Sequence, residues 1–284
     1  MRPFGCAIVM VCVAVAGAIS APAAKGGQAV DLELVLAVDN SGSVDQGEAM
    51  LQRKGYVDAF RHPTVIQAIE SGRLGRVAVA YYERSGTNFP SVIADWTVIE
   101  NRESAFKFAN TLAHTPSKSA PGTSISGAID FAVPFIQANA FDGRRRVIDI
   151  SGDGPNNSGD LVVVARERAV KAGMTINGLP ILGKWDGKLS YFNIPNLDRY
   201  FRNCVIGGPG AFVVAAKTFM DFAHAVRRKL VLEIAGLTPP GQSRFAGATL
   251  LLAGAGRNAQ FNPSESLPCD IGERLWRNRY LLDF

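Results

Sequence analysis

The apolar run over residues 32–38, ending on Asp39-Asn40-Ser41-Gly42-Ser43, most constrains what this chain can fold into. A near-continuous apolar run of that length reads as a strand covered on both faces, and such strands belong to parallel sheets flanked by helices. The chain up to about Glu233 keeps to that plan. Residues 45–61 predict a helix with Met50, Val57 and Phe60 inward, and 63–71 a shorter helix opened by Pro63. Strands follow over 77–82 and 92–98, joined by a link too short for a crossover helix, so they should pair antiparallel. Then come a helix over 102–113 with Phe106 and Ala109 inward, a polar loop over 117–122, and a helix over 125–138. A strand over 147–150, a helix over 160–172, strands over 175–181 and 211–215 and a last helix over 218–230 complete the alternation. This order predicts an α/β fold: a doubly wound, Rossmann-like open sheet, mostly parallel with one antiparallel edge strand and helices on both faces.

The ends read differently. Met1-Arg2 and an apolar stretch over 7–19 make a signal peptide over 1–23, with cleavage after Ser20 or Ala23. The expectation is therefore export to the periplasm or the outside, with no transmembrane span once the peptide is removed. Cleavage leaves Cys204 and Cys269, which an oxidising compartment can pair or leave as two thiols. The main domain spans 31–234, and Pro239-Pro240 marks a boundary to an extension over 235–284. That extension holds a possible strand over 248–253 and a helix over 273–282, and it either packs on the main domain or is partly disordered. Thirty basic and 25 acidic residues leave a formal charge of +5. The Arg144-Arg145-Arg146 and Arg227-Arg228-Lys229 clusters lack interleaved aromatics, so they read as solvated faces and no nucleic-acid partner is expected.

Chemistry concentrates at predicted strand ends. In an open α/β sheet, ligands bind beyond the carboxyl ends of strands, where the winding reverses. Asp39 follows the first strand, Asp153 in Ser151-Gly152-Asp153-Gly154-Pro155-Asn156 follows the 147–150 strand, and Thr123 opens the 125–138 helix. Asp39, Ser41, Ser43, Thr123 and Asp153 would offer a hard divalent cation oxygen ligands with only two formal charges. Mg²⁺ suits the set best, and Ca²⁺ and Mn²⁺ are compatible. An ion so under-neutralised would attract an outside carboxylate. Each part also has a plain structural use: the first-loop residues or Thr123 as helix caps, and Asp153 with Asn156 as an Asx turn.

The loops D-N-S-G-S, P-G-T-S and S-G-D-G-P-N-N resemble the metal-ion-dependent adhesion site of von Willebrand factor A domains, in order and in frame, over roughly 31–233. The stretch 205–212 is similar to exported bacterial A-domain proteins of the DUF1194 group. The resemblance implies that Asp39, Ser41 and Ser43 are first-loop ligands, Thr123 the second-loop ligand, and Asp153 a third-loop residue acting directly or through water. It implies a protein partner that offers an Asp or Glu carboxylate. One departure is the Gly before Asp153, where many A domains read T-D-G.

Enzyme classes fit less well. An aspartyl-phosphate enzyme would want a carboxylate where Ser41 stands, no G-x-S-x-G elbow is present, and His62, His114 and His224 lack triad or metal spacing. Gly254-Ala255-Gly256-Arg257-Asn258-Ala259 leaves too little chain for a dinucleotide unit. The expectation is a non-enzymatic binding protein, with a metal-dependent hydrolase or phosphotransferase, or an A domain whose ion only stabilises the fold, as alternatives. The aromatics Trp185, Tyr191 and Phe192 either frame the partner surface or cover the sheet edge.

Overall fold

The computed structural model describes residues 26–84, 86, 90–116, 122–183, 187–240 and 267–278. The predicted signal peptide, the 248–253 strand, Trp185, most of the 117–122 loop and the end of the 273–282 helix lie outside the described residues.

In chain order the elements are β1 (Gln28–Val30), β2 (Glu33–Asp39), α1 (Gln46–Arg61), α2 (Pro63–Glu70), β3 (Val77–Arg84), β4 (Ser91–Ile99), α3 (Arg102–His114) and α4 (Ile125–Gln137). They continue with β5 (Phe141–Gly143), β6 (Arg146–Gly152), α5 (Val162–Lys171), β7 (Thr175–Pro180), α6 (Leu197–Tyr200), a π-helical turn (Phe201–Val205), α7 (Phe222–Ala235) and α8 (Ile271–Asn278). The main sheet has the order β4-β3-β2-β6-β7. Every neighbouring pair is parallel except β3–β4, as predicted. Winding reverses between β2 and β6, the two strands that carry Asp39 and lead into Asp153.

The period of two along β2 divides the core into two layers. Leu34, Leu36 and Val38 join Tyr56, Phe60, Phe108 and Phe222 on one face, under α1, α3 and α7. Val35 and Ala37 join Ile129, Ile148, Ile150 and Phe201 on the other, under α4 and α5. Glu33 interrupts the apolar run and is fully buried, yet its carboxylate accepts from Gly143 N at 2.7 Å, Asn139 Nδ2 at 2.7 Å and Arg146 Nε at 3.3 Å. Those bonds remove the penalty of burying the charge.

Several expectations need correction. Met50 is 63% exposed, so the inward face of α1 is carried by Tyr56, Val57 and Phe60 instead. The segment 211–215 is no strand: it meets β7 at the isolated bridge Gly178↔Val213, followed just beyond both segments by Ile181↔Ala216. Pro180 has no N–H to give to a ladder, and the side chain of Asn177 takes the Phe212 N–H at 3.0 Å. The last helix begins at Phe222 because Thr218 and Asp221 close a side-chain turn at 3.0 Å before it. The predicted 160–172 helix starts two residues later, at Val162. The small β1–β5 sheet, α6 and the π-helical turn were not anticipated.

Candidate metal centre

The first loop leaves β2 at Asp39 and is folded by its own backbone, Val44 N donating to Ser41 O at 2.9 Å. Asp45 then caps α1 in a reciprocal box with Glu48, at 2.8 and 2.9 Å. Capping is therefore done by Asp45, and Asp39, Ser41 and Ser43 turn elsewhere. In the second loop the α4 cap is Ser124, whose hydroxyl accepts from Gly127 N. That releases the Thr123 hydroxyl from capping, and it donates to Ser41 Oγ at 3.2 Å.

One chain of polar contacts joins all five predicted residues. Asp39 accepts from Ser41 N at 3.0 Å and from Ser41 Oγ at 3.2 Å. Ser41 Oγ meets Ser43 Oγ at 2.9 Å, and Ser43 Oγ donates to Asp153 Oδ1 at 3.0 Å across 110 residues of chain. Ser41, Thr123 and Asp153 are buried, at 1%, 3% and 2% exposure, while Gly42 is exposed and Asp39 and Ser43 are partly so. Burial, and after it the charge of Asp153, push the Asp39 carboxyl well above the usual carboxylate range, against the bonds from Ser41 and Thr123.

The two carboxylates stand close enough for the charge of Asp153 to act on Asp39, and the donor set is all oxygen. Gly152 completes the cradle: a Cβ there would lie 3.2 Å from Asp39 Cβ and 3.3 Å from Oδ2. The Gly before Asp153 thus lets the third loop close on the first. The residues present fit a hard divalent cation. Among the described residues no group of three or more His, Cys, Asp or Glu gathers, so hydroxyls make up the larger part of the set.

Three neighbours have roles that the sequence reading does not assign, Asn156 having entered it only as an Asx-turn residue. Asn157 Oδ1 accepts from Thr123 N at 2.9 Å, and Asn156 Oδ1 accepts from Ser126 N at 2.9 Å, so the third loop holds the second. Arg84, at the end of β3, reaches under α4 and donates to Gly127 O at 2.8 Å. Asn156 and Asn157 were visible as a polar pair beside Asp153, but their partners are about 30 residues away. Arg84 was missed because β3 runs two residues past its predicted end. Of the predicted aromatic frame, Phe192 is exposed beside Gly154, whereas Tyr191 packs edge-on against Trp276 with ring centroids 4.7 Å apart.

The profile of a family described as "Protein of unknown function (DUF1194)" matches residues 29–238. No curated protein matches the chain. Among solved structures it is similar to the pilus adhesin SpaC from Lactobacillus rhamnosus GG, with 15% identity and a TM-score of 0.54 over 74% of this chain and 31% of that one. It is also similar to a von Willebrand factor type A protein from Catenulispora acidiphila (14% identity, TM-score 0.49, 72% of this chain and 43% of that one). A third is proximal thread matrix protein 1 from the mussel byssus, with a zinc-occupied MIDAS motif (13% identity, TM-score 0.48, 74% and 46%). The chain spans less than half the length of each of these three. At this identity the likeness to the adhesin shows the fold alone.

Proposed function

This chain belongs to the DUF1194 family, and we propose that it is an exported, non-enzymatic protein that binds a partner protein through a divalent cation held by Asp39, Ser41, Ser43, Thr123 and Asp153. The observation that carries this reading is the unbroken path of contacts, 2.9 to 3.2 Å each, that gathers two carboxylates and three hydroxyls from three loops. Mg²⁺ is the favoured ion, with Ca²⁺ and Mn²⁺ compatible. Bound there, it would supply a positive centre for an Asp or Glu carboxylate of the partner. This chain's residues do the rest: Asp39 and Asp153 provide the charge, the hydroxyls shape the set, and Asn156 and Asn157 hold the loops in register. The Cys204–Cys269 disulfide supports export, since such bridges persist in oxidising compartments. No helix among the described residues is long and apolar enough to cross a membrane.

The burial of Ser41, Thr123 and Asp153 favours a second reading, in which the ion only stabilises the fold. Calorimetry with Mg²⁺ on the wild type and on Asp39→Ala tests the site: heat of binding is expected in the first and none in the second, and equal heats remove it. Capture of a partner from envelope extract with Mg²⁺, lost in EDTA and in Asp39→Ala, separates adhesion from mere stabilisation.

A further inference from the structure

The segment 267–278 lies outside the family match, yet it is built into the back of the candidate metal centre. Cys269 is tied to Cys204, a fully buried residue of the π-helical turn, with their Cα atoms 5.3 Å apart. Beside the bridge, Tyr200 Oη accepts from Asn156 N at 3.2 Å and donates to Cys269 O at 3.4 Å. In the first turn of α8, Glu273 Oε1 accepts from Asn156 Nδ2 at 2.7 Å. Gly272 lies so close to the third loop that a Cβ on it would fall 2.0 Å from Asn156 O. Trp276 packs on Tyr191, whose carbonyl accepts from Asn157 Nδ2 at 2.9 Å.

These contacts converge on Asn156 and Asn157, the two residues that hold the second loop through Ser126 N and Thr123 N. Neither asparagine is in the proposed ligand set. Both are positioning residues, and the C-terminal helix positions them in turn. Among the described residues its one covalent tie to the domain is the bridge, whose Cys269 is partly exposed and whose Cys204 is buried. Opening that bridge takes two electrons and two protons from a dithiol, which becomes a disulfide while Cys204 and Cys269 become thiols.

We propose that α8 and the Cys204–Cys269 bridge form a redox-sensitive brace that sets the spacing of the second and third loops and so the affinity of the centre for its cation. The affinity part of this inference rests on the proposed metal site; the bracing part does not. With the bridge closed, the docked helix holds Asn156 against Ser126 and Asn157 against Thr123. With it open, docking rests on those hydrogen bonds, the Tyr191–Trp276 pair and the packing of Leu267, Ile271 and Leu275 on the core, and the loops gain freedom that the cation must then remove on binding.

The test uses the full chain in three forms: oxidised wild type, wild type reduced with dithiothreitol and desalted, and Gly272→Val, which keeps both cysteines but collides with the third-loop backbone. Amide hydrogen exchange over residues 153–160 and calorimetric titration with Mg²⁺ are read on each, and Trp276 fluorescence reports undocking of α8. Both perturbed forms are expected to exchange faster over 153–160 and to bind Mg²⁺ roughly five- to tenfold more weakly, with the rest of the domain still protected. Unchanged exchange in a verified reduced protein overturns the brace. Faster exchange with unchanged Mg²⁺ affinity overturns its control of the centre. An oxidised wild type that takes up no Mg²⁺ defeats the metal reading and the affinity part with it, while hydrogen exchange still decides whether the helix braces the loops.

Discussion

Lys229 is fully buried and shared by two carboxylates, Asp149 at 2.6 Å and Glu233 at 2.5 Å, with Asn177 Nδ2 donating to Glu233 at 2.8 Å and Tyr56 nearby. One ammonium cannot neutralise both acids, and the surplus falls on Asp149. Burial first, and then the charge of Glu233, push its carboxyl up to about 7, with Lys229 opposing. In the unfolded chain the same group titrates near 3.8. Between those values the folded state holds a proton that the unfolded state has lost, so this group's contribution to stability declines as pH rises through that window. Urea unfolding should therefore show stability falling from pH 5 to pH 8, with a clearly shallower fall in Asp149→Asn; parallel pH profiles in the two proteins would refute the assignment. The expected solvated face over Arg227-Arg228-Lys229 is corrected at Lys229, which is buried because α7 docks with this side chain turned to Asp149 of β6. The proposed ligands were more legible. A carboxylate and two hydroxyls at alternate positions after a strand are a local pattern, whereas the choice between Thr123 and Ser124 as the α4 cap needed coordinates.

At the scale of elements, the strands were read well because burial on both faces leaves a run of apolar residues that no other element of that length needs. Helix ends and the 211–215 segment were read less well. They depend on side chains such as Thr218 and Asn177 that compete for backbone groups, and pattern alone does not choose the winner. Helix packing also turns on one small residue. A Cβ on Gly55 would lie 2.9 Å from Phe222 Cδ1 and 3.3 Å from Ala223 Cα, so α1 and α7 approach closely only because Gly55 has no side chain. Gly55→Val should force them apart and cost about 1–3 kcal/mol, a typical overpacking penalty. Denaturant melts measure it, and stability equal to wild type would mean that the pair can slide without loss.

For the whole molecule, a cation that binds only the folded state adds stability by mass action, about 2.7 kcal/mol at a hundredfold excess over Kd. For a domain of this size that corresponds to roughly 5–10 °C in Tm. Mg²⁺ should raise the melting temperature of the wild type by that order, EDTA should reverse it, and Asp39→Ala should show no shift; a wild-type Tm indifferent to Mg²⁺ counts against any bound ion. The amino-acid sequence by itself determined the α/β alternation, the antiparallel edge and the residue types at the strand ends, since each follows from local periodicity and short-range chemistry. Only the tertiary structure decided that Ser43 reaches Asp153, that Cys204 pairs with Cys269, and that α8 lies against Asn156. Those contacts join residues 65 to 117 positions apart, and a meeting at such separation is set by sheet register and helix docking, which no short window of sequence encodes.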